Sequence, residues 1–228
     1  ASARRGGRVF ANPIAEGADP WVLRHGTNYL TCLSEANRGV ALYCSDRLTA
    51  LGAKHVIWRA PESGPCSREV WAPEIHFLDG RWHVYVAASD GQNRNHRMWA
   101  LRSETSNPLG NYTLHGPFYT GDHPEPGTDN RWAIDGTILE QDGKRYFLWS
   151  GWEDTRDEQW LYLAPMQNPL SVSGKRVRLC ANDDYLWERV GETAGGRGLN
   201  EAPQVLQRNG RTFVVYSCSA SWQPSYKL

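Results

Sequence analysis

Residues 73–87 read PEIHFLDGRWHVYVA, two short apolar strands on either side of Asp79-Gly80. Asp-Gly is a strong signal for a two-residue β-hairpin turn, because both central residues of that turn need a positive φ. The same plan recurs at 20–32, 136–149 and 203–216, and three of the four turns are Asp-Gly or Asn-Gly. A ring residue follows each turn glycine by three positions, at Tyr29, His83, Tyr146 and Phe213. The chain is therefore predicted to repeat one hairpin four times.

The spacing of these hairpins predicts a β-propeller. The turn glycines follow one another at intervals of 54, 63 and 67 residues, at Gly26, Gly80, Gly143 and Gly210. This period exceeds the WD40 period of about 40–45 residues and suits four-stranded blades with long outer loops. A β-sandwich is the alternative, but it does not account for so regular a repeat. We expect a single all-β domain over residues 1–228, with blade hairpins near 19–32, 72–88, 135–150 and 201–217.

The composition argues against several classes of partner. Lys and Arg number 25, and so do Asp and Glu, so the chain lacks the basic excess that binds nucleic acid or anionic membranes. Its apolar runs are far shorter than the roughly 20 residues of a bilayer span. The 11 Trp and 10 Tyr favour strands and flat surfaces that bind sugars. The five Cys show no metal-binding spacing, and free thiols are favoured over a Cys32–Cys44 disulfide.

Three of the hairpins begin beside a carboxylate. Asp19 directly precedes Pro20, Asp135 directly precedes Gly136, and Glu201 lies two residues before Pro203. Because the equivalent strand of every blade lines the channel, these three carboxylates are predicted to converge at one mouth of it. Glycoside hydrolysis needs such a group, with one carboxylic acid and a second carboxylate as base or nucleophile. A third carboxylate can raise the pKa of the acid and orient it.

The alternative interpretation of these carboxylates is structural, since Asp before Pro or Gly is ordinary turn chemistry. A purely structural role should recur in every repeat. The second repeat differs, because Glu74 follows Pro73 and is expected to point to the other face of its strand. This asymmetry favours a functional role for the other three.

Taken in order, the motifs resemble glycoside hydrolase family 43, whose catalytic domain is a five-bladed β-propeller. The matching segments are Ala18-Asp19-Pro20, Trp71-Ala72-Pro73-Glu74, Ile134-Asp135-Gly136, Asn200-Glu201-Ala202-Pro203 and Ser217–Trp222. The resemblance spans nearly the whole chain and implies an inverting hydrolase. It implies that Asp19 is the general base, Glu201 the general acid, and Asp135 the residue that tunes and orients the acid.

The resemblance also implies a fifth blade, which the repeats do not supply. Only 18 residues follow Gly210, so the last blade is expected to be missing from this chain and supplied by further residues or by another chain. In the family that blade often carries a histidine near a channel-bound metal or water. A structural calcium in the channel therefore has no assignable ligand here, and no cofactor is expected to be required.

Aromatic residues beside the motifs are candidate sugar platforms, namely Trp71, Trp152 and Trp222. The alternative for each is a place in the core or at its rim. Gly191 to Gly198 is a glycine-rich stretch directly before the Glu201 motif. It has no strand-to-helix context for a phosphate site, so a mobile loop beside the site is expected.

The sequence thus favours a glycosidase that releases a terminal pentose from plant hemicellulose or pectin, with α-L-arabinofuranosidase ahead of β-xylosidase. A non-catalytic carbohydrate-binding propeller is the alternative of another class, and it would not need three carboxylates. The expected partner is an arabinose- or xylose-containing oligo- or polysaccharide. Secretion is slightly favoured over a cytoplasmic location.

Overall fold

A computed structural model describes residues 11–125, 127, 129–189 and 198–228, which form four antiparallel sheets in chain order. The first sheet contains β1 (Trp21–His25), β2 (Asn28–Ser34), β3 (Gly39–Ser45) and β4 (Ala53–Arg59). The second contains β5 (Arg68–Leu78), β6 (Arg81–Ser89), β7 (Arg97–Ser103) and β8 (Tyr112–His115). The third contains β9 (Ala133–Gln141), β10 (Lys144–Trp152), β11 (Gln159–Asn168), β12 (Ser171–Val172) and β13 (Val177–Cys180). The fourth contains β14 (Asn200–Arg208) and β15 (Arg211–Cys218).

The four predicted hairpins open the four sheets. Their strands pair up to the turn, at His25↔Asn28, Leu78↔Arg81, Gln141↔Lys144 and Arg208↔Arg211. Each connection is therefore two residues long. In the Asp79-Gly80 turn both residues have a positive φ, of 51° and 76°, as a type I′ turn requires.

The sheets are arranged radially as the blades of a propeller. Their first strands β1, β5, β9 and β14 contact one another in that order. Together they enclose a channel cavity of about 410 Å³. The all-β propeller prediction is confirmed. Within the described residues, the fourth blade has two strands and no fifth sheet is present.

The second blade carries most of the core, because both of its faces are buried. Along β6, Val84 and Val86 pack toward the first blade, while Tyr85 and Ala87 pack toward the third. Successive strand residues point to opposite faces, so a strand buried on both sides is apolar throughout. By contrast, one face of the fourth blade is open, and it exposes Leu206, Phe213 and Val215.

Every blade carries the same local irregularity at the channel mouth. The residue directly before Pro20, Pro73, Gly136 or Pro203 has a left-handed backbone, with φ of 49° at Asp19, 42° at Ala72, 55° at Asp135 and 50° at Ala202. In the second, third and fourth blades an extra residue shifts the pairing at this point, which is a β-bulge. A bulge changes which face the following side chains occupy.

Glu74 does not point to the face of β5 that was expected from the sequence. Strict alternation from Pro73 placed this carboxylate on the other face of β5. In the structure Glu74 lines the channel cavity together with Asp19 and Asp135. The reason is the extra residue at Ala72. It puts Glu74 on the same face of β5 as Trp71, since these two residues pair with Tyr85 and Ala87 on one face of β6.

The five cysteines, all of which lie within the described residues, form no disulfide. Cys32 and Cys44 lie on the neighbouring strands β2 and β3, but Cys32 pairs with Leu42 and Cys44 with Leu30. All five cysteines are free thiols, as favoured from the sequence.

Among the described residues, no helix has the length and apolar character needed to cross a membrane.

Candidate active site

One open cavity of about 830 Å³ lies at the mouth of the channel. It is lined by all six side chains singled out in the sequence: Asp19, Asp135, Glu201, Trp71, Trp152 and Trp222. Residues separated by up to 203 positions therefore meet in one place. Asp135 and Glu201 lie at the bulges of the third and fourth blades, while Asp19 has a left-handed backbone two residues before β1.

Asp135 lies on the bulge of β9 at the centre of the group. Its Oδ2 accepts a hydrogen bond of 3.0 Å from the backbone N–H of Ala202 on the neighbouring blade. Burial raises the pKa of Asp135 well above its ordinary value, and the charge of Glu201 raises it further. Asp19 and Glu74 add smaller contributions in the same direction.

Glu201 begins the inner strand of the fourth blade and is half-buried. Its Oε2 accepts a hydrogen bond of 3.0 Å from Nε2 of Gln159, and the Tyr226 hydroxyl also donates to the carboxylate. Burial raises the pKa of Glu201, and the charge of Asp19 adds to the increase. The two donors oppose it, because they stabilise the ionised form. The carboxyl group therefore holds its proton to a higher pH than an exposed glutamate does.

Asp19 lines both the site cavity and the channel cavity beneath it. It is the most exposed of the three carboxylates. Partial loss of hydration still raises its pKa above the ordinary value. A water-accessible carboxylate beside a buried acid is the arrangement that an acid–base pair requires.

The three tryptophans present different surfaces to the cavity. Trp71 stacks on His96 with ring centroids 3.9 Å apart, and Trp152 stacks on Trp132 at 4.7 Å. One face of each ring is thus covered by protein, and Trp152 is only 7% exposed. Trp222 is 66% exposed. Of the three, Trp222 offers the largest free surface for stacking on a sugar.

A buried arginine holds the backbone of Trp152. Nη1 of Arg176 donates to the Trp152 carbonyl at 2.5 Å, and Nη2 donates to the Glu153 carbonyl at 2.8 Å. Asp122 neutralises the guanidinium, with 2.7 Å between its Oδ1 and Nε of Arg176. The guanidinium also lies over the ring of Tyr162. These contacts fix the wall of the cavity on the side of the third blade.

Sequence reasoning missed several residues of the site. Gln159 and Tyr226 contact Glu201, and Asn93 and Trp132 line the same cavity. Gln159 reaches the site because it forms a parallel bridge with Leu199, a contact between blades that no local motif announces. Of the glycine-rich stretch expected beside the site, residues 191–197 lie outside the described residues. Within the described ranges, no cluster of three or more His, Cys, Asp or Glu side chains is suited to a metal ion.

Comparison with known proteins agrees with this geometry. The family model "Glycosyl hydrolases family 43" matches residues 10–227. The chain is 33% identical over 215 residues to "Alpha-L-arabinofuranosidase 43" of Humicola insolens, covering 91% of this chain and 42% of that protein. It is also 33% identical to an "Extracellular exo-alpha-(1->5)-L-arabinofuranosidase" of Streptomyces chartreusis, covering 93% of this chain and 63% of that protein. The chain thus spans about half the length of these two curated relatives.

A solved structure supports the same relationship. The crystal structure of an α-L-arabinofuranosidase from Lactobacillus brevis superimposes with a TM-score of 0.81 at 29% identity, covering 95% of this chain and 68% of that one. The family match, the relatives and the carboxylates at the channel mouth all agree. This chain belongs to glycosyl hydrolase family 43.

Proposed function

We propose that this chain is the catalytic propeller of an inverting α-L-arabinofuranosidase, which releases terminal arabinofuranose from arabinose-containing oligo- and polysaccharides. The observation that carries the proposal is the meeting of Asp19, Asp135 and Glu201 in one cavity, with the pKa of all three raised. The names of the fungal and streptomycete relatives support the choice of sugar. A binding propeller would not need this carboxylate group.

In the proposed reaction Asp19 acts as general base and Glu201 as general acid. Asp19 takes a proton from a water molecule, whose oxygen attacks the anomeric carbon. Glu201 gives its proton to the glycosidic oxygen as the bond from that oxygen to the anomeric carbon breaks. The products are free arabinose of inverted configuration and the shortened saccharide with a new hydroxyl group.

Asp135 has a different part in the proposed reaction. Its carboxylate is fixed by the Ala202 N–H, one residue after Glu201. It has no covalent role. The charge of Glu201 disfavours ionisation of Asp135, so the two carboxyl groups retain a shared proton toward neutral pH. The Ala202 N–H stabilises the ionised form of Asp135, which favours that proton on Glu201.

The experiment that tests the proposed function is identification of the sugar released from two substrates. The protein is incubated with α-1,5-arabino-oligosaccharides and, separately, with β-1,4-xylo-oligosaccharides. Release of arabinose alone supports the proposal. Release of xylose alone would assign the β-xylosidase activity instead, and binding without release would leave a carbohydrate-binding propeller.

Inversion predicts the anomer that appears first. We expect proton NMR during the first minutes of hydrolysis to show β-arabinofuranose from an α-linked substrate, before mutarotation mixes the anomers. The same mechanism expects the carboxyl groups of Asp19 and Glu201 to lie about 6.5–9.5 Å apart, which leaves room for the attacking water. Initial appearance of the α anomer would contradict inversion.

Gln159 is predicted to orient the acid. Gln159→Leu removes the donor to Glu201, so the pKa of Glu201 should rise and the basic limb of the kcat/KM profile should move to higher pH. The rate at the optimum should fall about 10-fold, because the acid is held less well. Gln207→Leu is the matched control, since Gln207 is exposed on the same sheet as Glu201 and outside the cavity. A Gln159→Leu profile that overlays the parent's would refute the role.

The proposal also covers the location of the protein, its need for a cofactor and the exposed face of the fourth blade. Secretion is supported by the word "Extracellular" in the names of the two Streptomyces relatives. Hydrolysis is proposed to need no added cofactor. The apolar face of the fourth blade, with Leu206, Phe213 and Val215, is proposed to be covered by further β structure from the same polypeptide or from another chain.

A further inference from the structure

A fourth carboxylate lies in the channel beneath the site, and the proposed reaction does not use it. Glu74 on β5 is only 6% exposed. It lines the channel cavity together with Asp19, Asp135 and Ala202, which also line the site above. A buried carboxylate needs partners, because an unpaired one is costly to bury.

Both oxygens of Glu74 have a partner. Nε2 of Gln204 on β14 donates to Oε1. Nε2 of His76 lies 3.2 Å from Oε2, and the His76 ring packs against Trp21 and Tyr85. The bond to Gln204 joins the second blade to the fourth across the channel, and so bypasses the third.

Gln204, the donor of this bond, lies close to the proposed acid Glu201 in the sequence. Gln204 follows Glu201 by three residues, and the bulge at Ala202 lies between them. The same bulge provides the N–H that holds Asp135. The bond between Gln204 and Glu74 therefore ties the segment just after the acid to the second blade.

We infer that Glu74 is a positioning residue for hydrolysis, which acts through Gln204 to fix the bulge that carries Glu201 and Ala202. This inference rests on the proposed function. The Glu74 charge has a second effect, because it raises the pKa of Asp135. The titratable groups that face Glu74 are Asp19, Cys32, His76 and Asp135.

Two substitutions separate the bond from the charge. Gln204→Leu removes the bond and leaves the charge. Glu74→Gln keeps an oxygen that accepts from Gln204 and removes the charge. We expect Gln204→Leu to lower kcat on arabino-oligosaccharides about 10-fold with little change in KM, because a small misplacement of a catalytic group is costly. Glu74→Gln should lower kcat less than Gln204→Leu does, because the bond is kept and only the charge near Asp135 is lost.

The leaving group distinguishes positioning from a general structural defect. An activated aryl arabinofuranoside needs little help from the acid, so Gln204→Leu should slow it much less than the natural oligosaccharide. An equal loss on both substrates, with a lowered thermal midpoint, would mean that the bond is only structural. Parent-level kcat on both would also overturn the inference.

A double substitution tests whether the two residues act through one bond. Glu74→Leu combined with Gln204→Leu should be no worse than the more damaging of the two alone. Losses that multiply would show independent effects and overturn the inference.

A carboxyl titration followed by carbon NMR makes the test independent of turnover. Gln204→Leu should shift the titration of Glu201, and Glu74→Gln should lower the pKa of Asp135. An inactive parent would overturn the proposed function, whereas an unshifted Glu201 titration in Gln204→Leu would overturn the positioning role of Glu74.

Discussion

Glu201→Gln should reduce the turnover of arabino-oligosaccharides by about 10²–10⁴-fold, the usual contribution of a positioned acid. Glutamine has the same size and keeps an oxygen that accepts from Gln159, but its amide is not acidic enough to protonate the glycosidic oxygen. The loss should be much smaller on an activated aryl arabinofuranoside, because its leaving group departs with little protonation. The ratio of the two losses identifies Glu201 as the acid.

The matched control for this substitution is Glu62→Gln, since the Glu62 side chain is 95% exposed and lies outside the cavity. It makes the same chemical change and should leave turnover within about 2-fold of the parent. Turnover of oligosaccharides by Glu201→Gln at the parent rate would remove Glu201 from the reaction.

The same variant should be at least as stable as the parent at neutral pH. Burial raises the folded-state pKa of Glu201, so between the unfolded and folded pKa values the folded chain binds more protons than the unfolded chain. The stabilising contribution of the group is therefore present at low pH and lost as the pH rises through the folded pKa. A neutral amide removes that cost, and thermal unfolding at pH 7 measures the difference. A clear fall in the midpoint would mean that the loss of turnover reflects unfolding.

Asp19→Asn should have the second large effect, again a loss of about 10²–10⁴-fold, because no group remains to take the proton from water. Azide needs no deprotonation, so added azide should restore part of the turnover and give the glycosyl azide of inverted configuration. Asp46→Asn is the control, since the Asp46 side chain is 80% exposed and lies outside the cavity. Unchanged hydrolysis by Asp19→Asn would show that another group acts as base.

The repeat could be predicted from the sequence because its signals are local. Asp-Gly turns specify hairpins without reference to the rest of the chain. Asp19, Asp135 and Glu201 lie seven, eight and nine residues before their turn glycines, near the start of the first strand of three blades. The radial arrangement of the blades brings these strand starts together at the channel mouth. This is why the sequence predicts that residues far apart in the chain meet, and in the structure all three line one cavity.

The direction of Glu74 could not be predicted in the same way. Strand alternation is a reliable rule only where the pairing is regular, and the left-handed residue at Ala72 interrupts it without a glycine to mark the place. Gln159 and Tyr226 were missed for another reason. They reach Glu201 from a neighbouring blade and from the segment after β15, so their positions depend on tertiary packing.

The left-handed residue shared by all four blades has a consequence for how such a site is modified. Each blade presents the same backbone corner to the mouth, and two corners hold aspartate while Ala72 and Ala202 occupy the others. The same backbone conformation therefore accepts either aspartate or alanine at this position. A substitution here changes the chemistry of the site while the backbone stays the same. A fold with several equivalent positions around one opening allows substrates and reactions to diverge while the architecture stays constant.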